Sequence, residues 1–533
     1  MIRALNRRNF LKTLGLIAAF TGFRLSANSL NNPSFLHGVA SGDPTDTNVI
    51  LWSRVTTNSQ SNIKVLYEVA EDKNFVNIFL RGQKFTDKRS DFTVKIDAKI
   101  PKKYRGKKIF YRFRSGNSIS ETGSTMTLPQ DRNSFKVAVF SCSNFPSGYF
   151  NVYRDAANDQ SIDLGIHVGD YIYEYKQGEY ATEDAVKLGR VPIPDKEITT
   201  LIDYRLRHSQ YKTDKDLQKI HSSMPFICAW DDHEVTNDSW KDGAENHQKN
   251  EGLFSERRAN ALKAYYEWMP VRTPRNKKNN WKRYKIGTLL DIKLLETRLS
   301  ARTKQIDLLN FIDESGIFNK NKFLKSLNNE KRELLGSRQI SFIEKSIENN
   351  DAWNLYAQQV LLGSLKLPLI PNEIIDRLPS FQQYLKLVIR EDLPFNFDAW
   401  DGYPAERKRL LKAIGSKTQK NIFVAGDTHN CWVSNIKDED SFRGVELGTP
   451  SVTSPGASEN FAGLIPATDL EKAVVNKNKN LKWTNLSNRG YLTINFNPGF
   501  ADAEFKGVNN IASKDYRSMI LKKFKILPGK EII

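Results

Sequence analysis

The chain has 533 residues, 39% of them hydrophobic, 11% aromatic and 26% charged. It is longer than a single core organises and too rich in aromatics for a disordered chain. Its formal charge of +19 favours an anionic partner such as phosphate groups, nucleic acid or an acidic polymer, without choosing among them.

In chain order, residues 1–27 come first. They hold Arg3, Arg7, Arg8, Lys12 and Arg24 and no acid, with a mildly apolar stretch from Thr13 to Phe23 that is too short to span a bilayer. The string RRNFLK places Arg7 and Arg8 before Phe10, Leu11 and Lys12 in the manner of a twin-arginine export signal. Cleavage after Leu25, Ser26 and Ala27 would remove five positive charges and lower the formal charge from +19 to +14. A route that carries folded proteins suits an enzyme that acquires a metal before export, to a periplasmic or extracellular location. The sequence predicts no transmembrane anchor.

From 34 to 130, short β-type runs (VILWSRV, KVLYEVAE, FTVKIDAK, KIFYRFRS) separated by polar and Gly or Pro clusters predict a small all-β sandwich domain. TLPQDRNS reads as the linker. From 131 to 533 the pattern changes to strand, loop, helix, strand, which predicts an α/β catalytic domain with functional groups at the carboxyl ends of its strands. The Lys- and Glu-rich stretch between Asn310 and Asp351 reads as a solvated helical face, and NKKNN and NKNKN as exposed loops without the aromatic platform of a nucleic-acid site. No nucleic-acid partner is required, and the expected state is a monomer.

Four apolar strands each run into a chemically loaded loop: SCSNF offers Cys142 and Asn144, GDYIY offers Asp170 and Tyr173, WDDHE offers Asp231, Asp232, His233 and Glu234, and GDTHN offers Asp427, His429 and Asn430. Singly, each reads equally as a turn, a cap or a buried thiol. Together, on strand ends of an α/β sheet, they fit a dinuclear hydrolase, in which an anionic carboxylate must lie between two mutually repelling cations. Asp170 is the natural bridge. Thiolate, phenolate and imidazole from Cys142, Tyr173 and His429 suit Fe3+, and the oxygens of Asp170, Asp232 and Asp427 suit Ca2+, with Asn144 supplying or orienting a further oxygen. A metal-activated hydroxide would be the nucleophile, with His233 protonating the leaving group and Glu234 placed to orient that imidazole. His233 reads alternatively as a structural histidine.

The order of these loops resembles that of metallophosphoesterases, especially the purple acid phosphatase variant with Tyr in GDxxY. Cys142 stands where Asp is usual and Asp427 where His is usual. Those exchanges resemble the alkaline phosphatase D (PhoD-like) family. The likeness extends over FLHGVASGDP, VILWSRV, GYFNVYRDAA, HVGDYIYEY, DYRLRHSQY, WDDHEVTND, AYYEWMPVR, WDGYPAER and LGTPSVTSPG. The resemblance implies metallophosphoesterase-type layered β-sheets with flanking helices, preceded by the sandwich, twin-arginine export, and an iron and calcium centre hydrolysing phosphate esters. It also implies ligand roles for Cys142, Asp170, Tyr173, Asp232, Asp427 and His429.

Several residues stay open between two readings. Arg298 and Arg302 in ETRLSAR form either a phosphate grip or a plain surface pair. His247 is a further ligand or an uninvolved loop residue, and Asp231 reaches a second calcium or caps a turn. Cys228 and Cys431 read as packed thiols and His167 as core. Monoester and diester substrates are both compatible, a phospholipase of D-type specificity is the alternative enzyme, and a non-catalytic binder of anionic polymer is the alternative outside enzymes.

Overall fold

The computed structural model describes residues 33–533 apart from 60, 348–350, 379–381, 416–419 and 462. The export segment with Arg7 and Arg8 lies outside the described residues.

Strands without a polar face are what a parallel sheet covered on both sides requires. Phe135–Phe140, Leu164–His167 and Pro225–Cys228 have this character and pair in parallel, in that order. Side chains alternate across the strand. Thus Val137 and Val139 face one cluster while Ala138 and Phe140 face another. The full sheet has nine strands: Ser518–Ile526, Phe500–Val508, Arg489–Asn497, then the parallel three, then Val39–Gly42, Asn48–Arg54 and Thr93–Lys99.

A second mixed sheet of seven strands contains Leu290–Leu294, Trp353–Ala357 and Asn421–Ala425 in parallel. The two sheets share one core, in which Val137, Val139, Ile166 and Ile227 meet Ile292, Leu355, Val424 and Val445. Helices Asn151–Asn158, Leu201–Lys212, Lys215–Ser223 and Phe254–Trp268 cover the outer face of the first sheet. Gly336–Ser346 and Pro404–Ile414 cover the second. These helices start where the sequence supplies caps: Thr200 and Asp203 form a capping box, and Asp214 accepts from the Asp216 and Leu217 amides.

The amino-terminal region differs from a free-standing sandwich. Strands Ile63–Ala70, Ile78–Thr86 and Ile109–Ser115, with two shorter ones, form a separate five-stranded sheet, and Val65, Val69, Tyr111 and Phe113 of it pack on Val39, Val49 and Leu51. That opposing layer belongs to the nine-stranded sheet, because Ser41 and Gly42 pair in parallel with Pro225 and Phe226. One sheet therefore runs across residue 130. Among the described residues, no helix is long and apolar enough to cross a membrane.

Candidate metal centre

The loops that leave the parallel strands converge. Three groups of side chains bring ligand atoms within 4.8 Å of one another: Cys142 with Asp170 and His429, Asp170 with Asp232 and His233, and Asp231 with Asp232 and Asp427. Asp170 and Asp232 are each shared by two groups, so the three form one continuous constellation.

The backbone is bent to make this possible. Cys142, Asp170, Asp427 and His429 all have left-handed backbone, with φ of 60°, 56°, 64° and 63°. Each such residue costs about 1–2 kcal/mol, and four at one place mark a functional constraint rather than a folding convenience. Close loop approach adds a second demand. At Gly169, with φ of +117°, a Cβ would lie 2.3 Å from Asp231 Cβ, and at Gly426 it would lie 2.6 Å from Ser141 Cβ. The Gly-Asp pairs of GDYIY and GDTHN thus serve the same purpose: glycine admits the neighbouring loop and aspartate turns inward.

In the first half of the constellation, the Cys142 thiol donates to Asp170 Oδ2 at 3.4 Å and the Tyr173 hydroxyl donates to the same oxygen at 3.1 Å. The Tyr173 oxygen accepts from Ser454 Oγ at 2.7 Å and lies 3.4 Å from His429 Nε2. His429 Nδ1 is 2.7 Å from the Pro455 carbonyl, which can only accept, so Nδ1 carries the proton and Nε2 presents a lone pair to the group. Burial pulls His429 down to about 3, keeping the imidazole neutral. Burial, with Asp170 second, pushes the Cys142 thiol and the Tyr173 phenol well up.

The second half is carboxylate. Burial, with Asp232, Asp231 and Glu234 adding to it against His233, pushes the Asp170 carboxyl well above the usual range. Burial and Asp231 do the same to Asp427 despite Arg298, and burial lifts Asp231 to about 6. Asp232 goes the other way, to about 2: burial is outweighed by Arg298, His233 and the Asp238 amide. A cation among these groups would reverse the upward shifts. Unsatisfied polar atoms agree: Asp170 Oδ1, Asp231 Oδ2 and both amide atoms of Asn144 are buried with no hydrogen-bond partner among the described residues. Buried polar atoms of this kind are rare unless a ligand, ion or water takes them. The donor set of thiol, phenol, imidazole and carboxylates therefore fits metal ions.

The structure corrects the reading of Glu234 and places the residues that the sequence left open. Glu234 does not orient His233: its carboxylate accepts the backbone amides of Asp170, Tyr171 and Asp231 at 3.1, 2.6 and 2.7 Å, bracing two loops. The imidazole is held by Glu174, whose Oε2 lies 2.7 Å from His233 Nδ1. Glu174 Oε1 accepts from Thr236 Oγ1, the Asn237 amide and Asn246 Nδ2, so the carboxylate is fixed and engages Nδ1, while the His233 ring groups with Asp170 and Asp232. Burial lowers the His233 pKa, but Glu174, Asp170 and Asp232 outweigh it and raise the group well above its ordinary value.

Arg298 is not a free phosphate grip. It is fully buried and bound to Asp231 through Nε, to Asp398 through Nη1 and to Asp427 through Nη2 at 3.1 Å. Arg302, also buried, bonds Asp398 and the Thr297 carbonyl. His247 sits in a local turn, 3.1 Å from the Gly252 carbonyl and 3.6 Å from Glu251, outside the constellation. Asn430 braces its own loop, donating to the Thr428 carbonyl and accepting from the Ala457 amide. Cys228, Cys431 and His167 are core residues as expected.

Sequence reasoning passed over Glu174, Tyr180, Asp398 and Ser454. Glu174 lies inside the GDYIYEY string and Ser454 inside TSPG, so both sat in recognised motifs. Tyr180 places its hydroxyl 3.3 Å from His429 Nδ1, and its ring lies parallel to His233 at 6.5 Å, with Tyr175 5.5 Å from both rings. These half-buried tyrosines line one side of the site.

Comparison with known proteins gives the family. The PhoD-like phosphatase profile matches residues 137–505, and the profile of the PhoD-like phosphatase N-terminal domain matches residues 22–129. Alkaline phosphatase D of Bacillus subtilis (strain 168) is 30% identical over 535 residues, covering 94% of this chain and 84% of the relative. A solved structure of PhoD is 28% identical, with a TM-score of 0.78, covering 93% of this chain and 91% of that one. The chain belongs to the PhoD-like phosphatase family.

Proposed function

We propose that the protein is a metal-dependent phosphoesterase whose two metal sites share Asp170. The observation that carries this is the convergence of four left-handed, non-glycine residues with unsatisfied buried oxygens at the ends of the strands. Cys142, Tyr173, His429 and Asp170 would hold Fe3+; Asp170, Asp232 and Asp427, with Asn144 nearby, would hold Ca2+, and Asp231 offers a further oxygen. When bound, the metals supply charge neutralisation to the phosphoryl oxygens and lower the pKa of coordinated water.

The remaining work falls to the chain's own side chains. His233, grouped with Asp170 and Asp232, would hand its proton to the leaving-group oxygen, while Glu174 fixes the ring orientation through Nδ1. Arg298 spaces Asp231, Asp398 and Asp427 by binding all three. Glu234 locks the loops that carry Asp170 and Asp231. Tyr175 and Tyr180 offer aromatic surface beside His233 for the organic part of an ester.

Two mixed sheets sharing a core with helices on both outer faces support a metallophosphoesterase-type layering. The RRNFLK string supports twin-arginine export. Hydrolysis of a chromogenic phosphate monoester and its bis-ester, before and after chelation, tests the reading. Turnover of at least one substrate, lost on chelation and restored by iron with calcium, is expected. Turnover that survives complete removal of metal would refute it.

A further inference from the structure

The outer face of the five-stranded sheet is an amphiphilic surface that the proposed chemistry does not use. On Ile63–Ala70, Val65 and Val69 point into the core, so Lys64, Leu66 and Glu68 point outward. Cross-strand register puts Phe85 opposite Lys64, Leu66 opposite Arg114, and Arg114 opposite Ile119. Tyr67 belongs to the inner face with Val65 and Val69, since it packs against the same core. Leu66, Phe85 and Ile119 are 41%, 56% and 51% exposed, and they sit on neighbouring rungs with cations between them. Glu68, the acid on these rungs, is already paired with Arg112 at 2.7 Å and Arg81 at 3.5 Å. Lys64 and Arg114 form no ion pair among the described residues.

We infer that this face docks on an anionic lipid surface. A second copy of the chain would set the same cations against each other. A soluble polyanion would meet Lys64, Arg81 and Arg114 but offers no apolar phase for Phe85, Leu66 and Ile119. The headgroup region of an acidic bilayer takes both, receiving the apolar side chains at the acyl boundary while guanidinium and ammonium groups stay at the phosphates. With no spanning helix among the described residues, such binding is peripheral and falls with salt.

The test is flotation of the full chain with phosphatidylcholine vesicles, with and without about 30% phosphatidylglycerol, at low salt and at about 0.5 M salt. Binding is expected only with phosphatidylglycerol and at low salt. The double variant L66S/F85S and the single variant R114E should each weaken it about tenfold or more. Both should keep wild-type melting temperature and phosphatase activity on a soluble ester, because the positions are exposed and outside the metal centre. No flotation with acidic vesicles, or flotation that both variants retain, would overturn the inference. So would soluble polyphosphate binding as tightly as the vesicles with L66S/F85S unaffected, which would assign the face to a polyanion.

Discussion

Two buried polar clusters meet at Tyr171, next to Asp170, and burial shifts their pKa values in opposite directions. On one side the carboxyls of Asp170, Asp231 and Asp427 are driven up and crowded by like charge, and Asp170 Oδ1 and Asp231 Oδ2 are left unpartnered among the described residues. On the other, Lys212 is driven down to about 7 and His167 and His208 to about 3, by burial first. The Lys212 ammonium group rests 5.0 Å from the Trp52 ring and 5.1 Å from the Tyr171 ring, with no hydrogen-bond partner among the described residues. Tyr171 joins the two clusters: Glu234 holds its amide, and its hydroxyl lies 2.8 Å from His221 Nε2. The basic cluster resolves its burial by losing protons. The acidic cluster is built on strained backbone and aims soft and hard donors at common points, which only a cation rewards. Burial and shifted pKa values are common to both, so these alone do not mark a site.

Arg298→Met breaks the acidic cluster most severely. It strands Asp231, Asp398 and Asp427 without their counter-charge, and a loss of about 3–5 kcal/mol in unfolding free energy of the metal-free protein is expected. Denaturant melts measure it; a loss under about 1 kcal/mol would mean that Arg298 does not neutralise the carboxylates.

Glu174→Gln sharpens the comparison within the site. The side chain keeps its size but loses the charge that holds His233, so kcat should fall about 10–100-fold with KM little changed. Because His233 is the proton donor and Glu174 is the first charge holding its pKa up, the alkaline limb of the pH–rate profile should move to lower pH. Metal content should stay at the wild-type level, which separates positioning from ligation.

Lys212→Met addresses the basic cluster alone. Because the folded pKa of Lys212 is about 7, below the ordinary 10.5, its stability contribution is present above 10.5 and is lost as pH falls through the folded value. The variant should therefore gain stability over wild type progressively between about pH 10.5 and 7 and hold that gain below. A single proton limits the slope to about 1.4 kcal/mol per pH unit. Thermal melts across this range measure it, and a difference independent of pH would show that Lys212 titrates normally.

The ligand candidates were legible because each sits at the end of an apolar strand, and strand ends in α/β sheets share one edge. Cys142, Asp170, Tyr173, Asp232, Asp427 and His429 are brought together on that basis. Partnerships between loops were not legible. Glu234 neighbours His233 in sequence yet turns to three amides, while Glu174, on the preceding strand's loop, reaches the imidazole. Arg298 read as either a phosphate grip or a surface pair, because nothing in ETRLSAR announces that three aspartates from three other loops close over it. The continuous nine-stranded sheet was hidden for a related reason. It depends on Ser41 and Gly42 pairing with Pro225 and Phe226, and a linker-like string at 127–134 says nothing about strands that meet from far apart.

The central claim is that Asp170 serves both halves of the constellation, and Asp170→Asn tests it most directly. Iron and calcium content and kcat should be measured on one preparation of the folded variant alongside wild type. The account predicts loss of both metals and a fall in kcat of about a thousandfold or more, since the neutral amide removes the charge between two cations. A full complement of both metals with near-native kcat would contradict the shared carboxylate and the dinuclear reading with it.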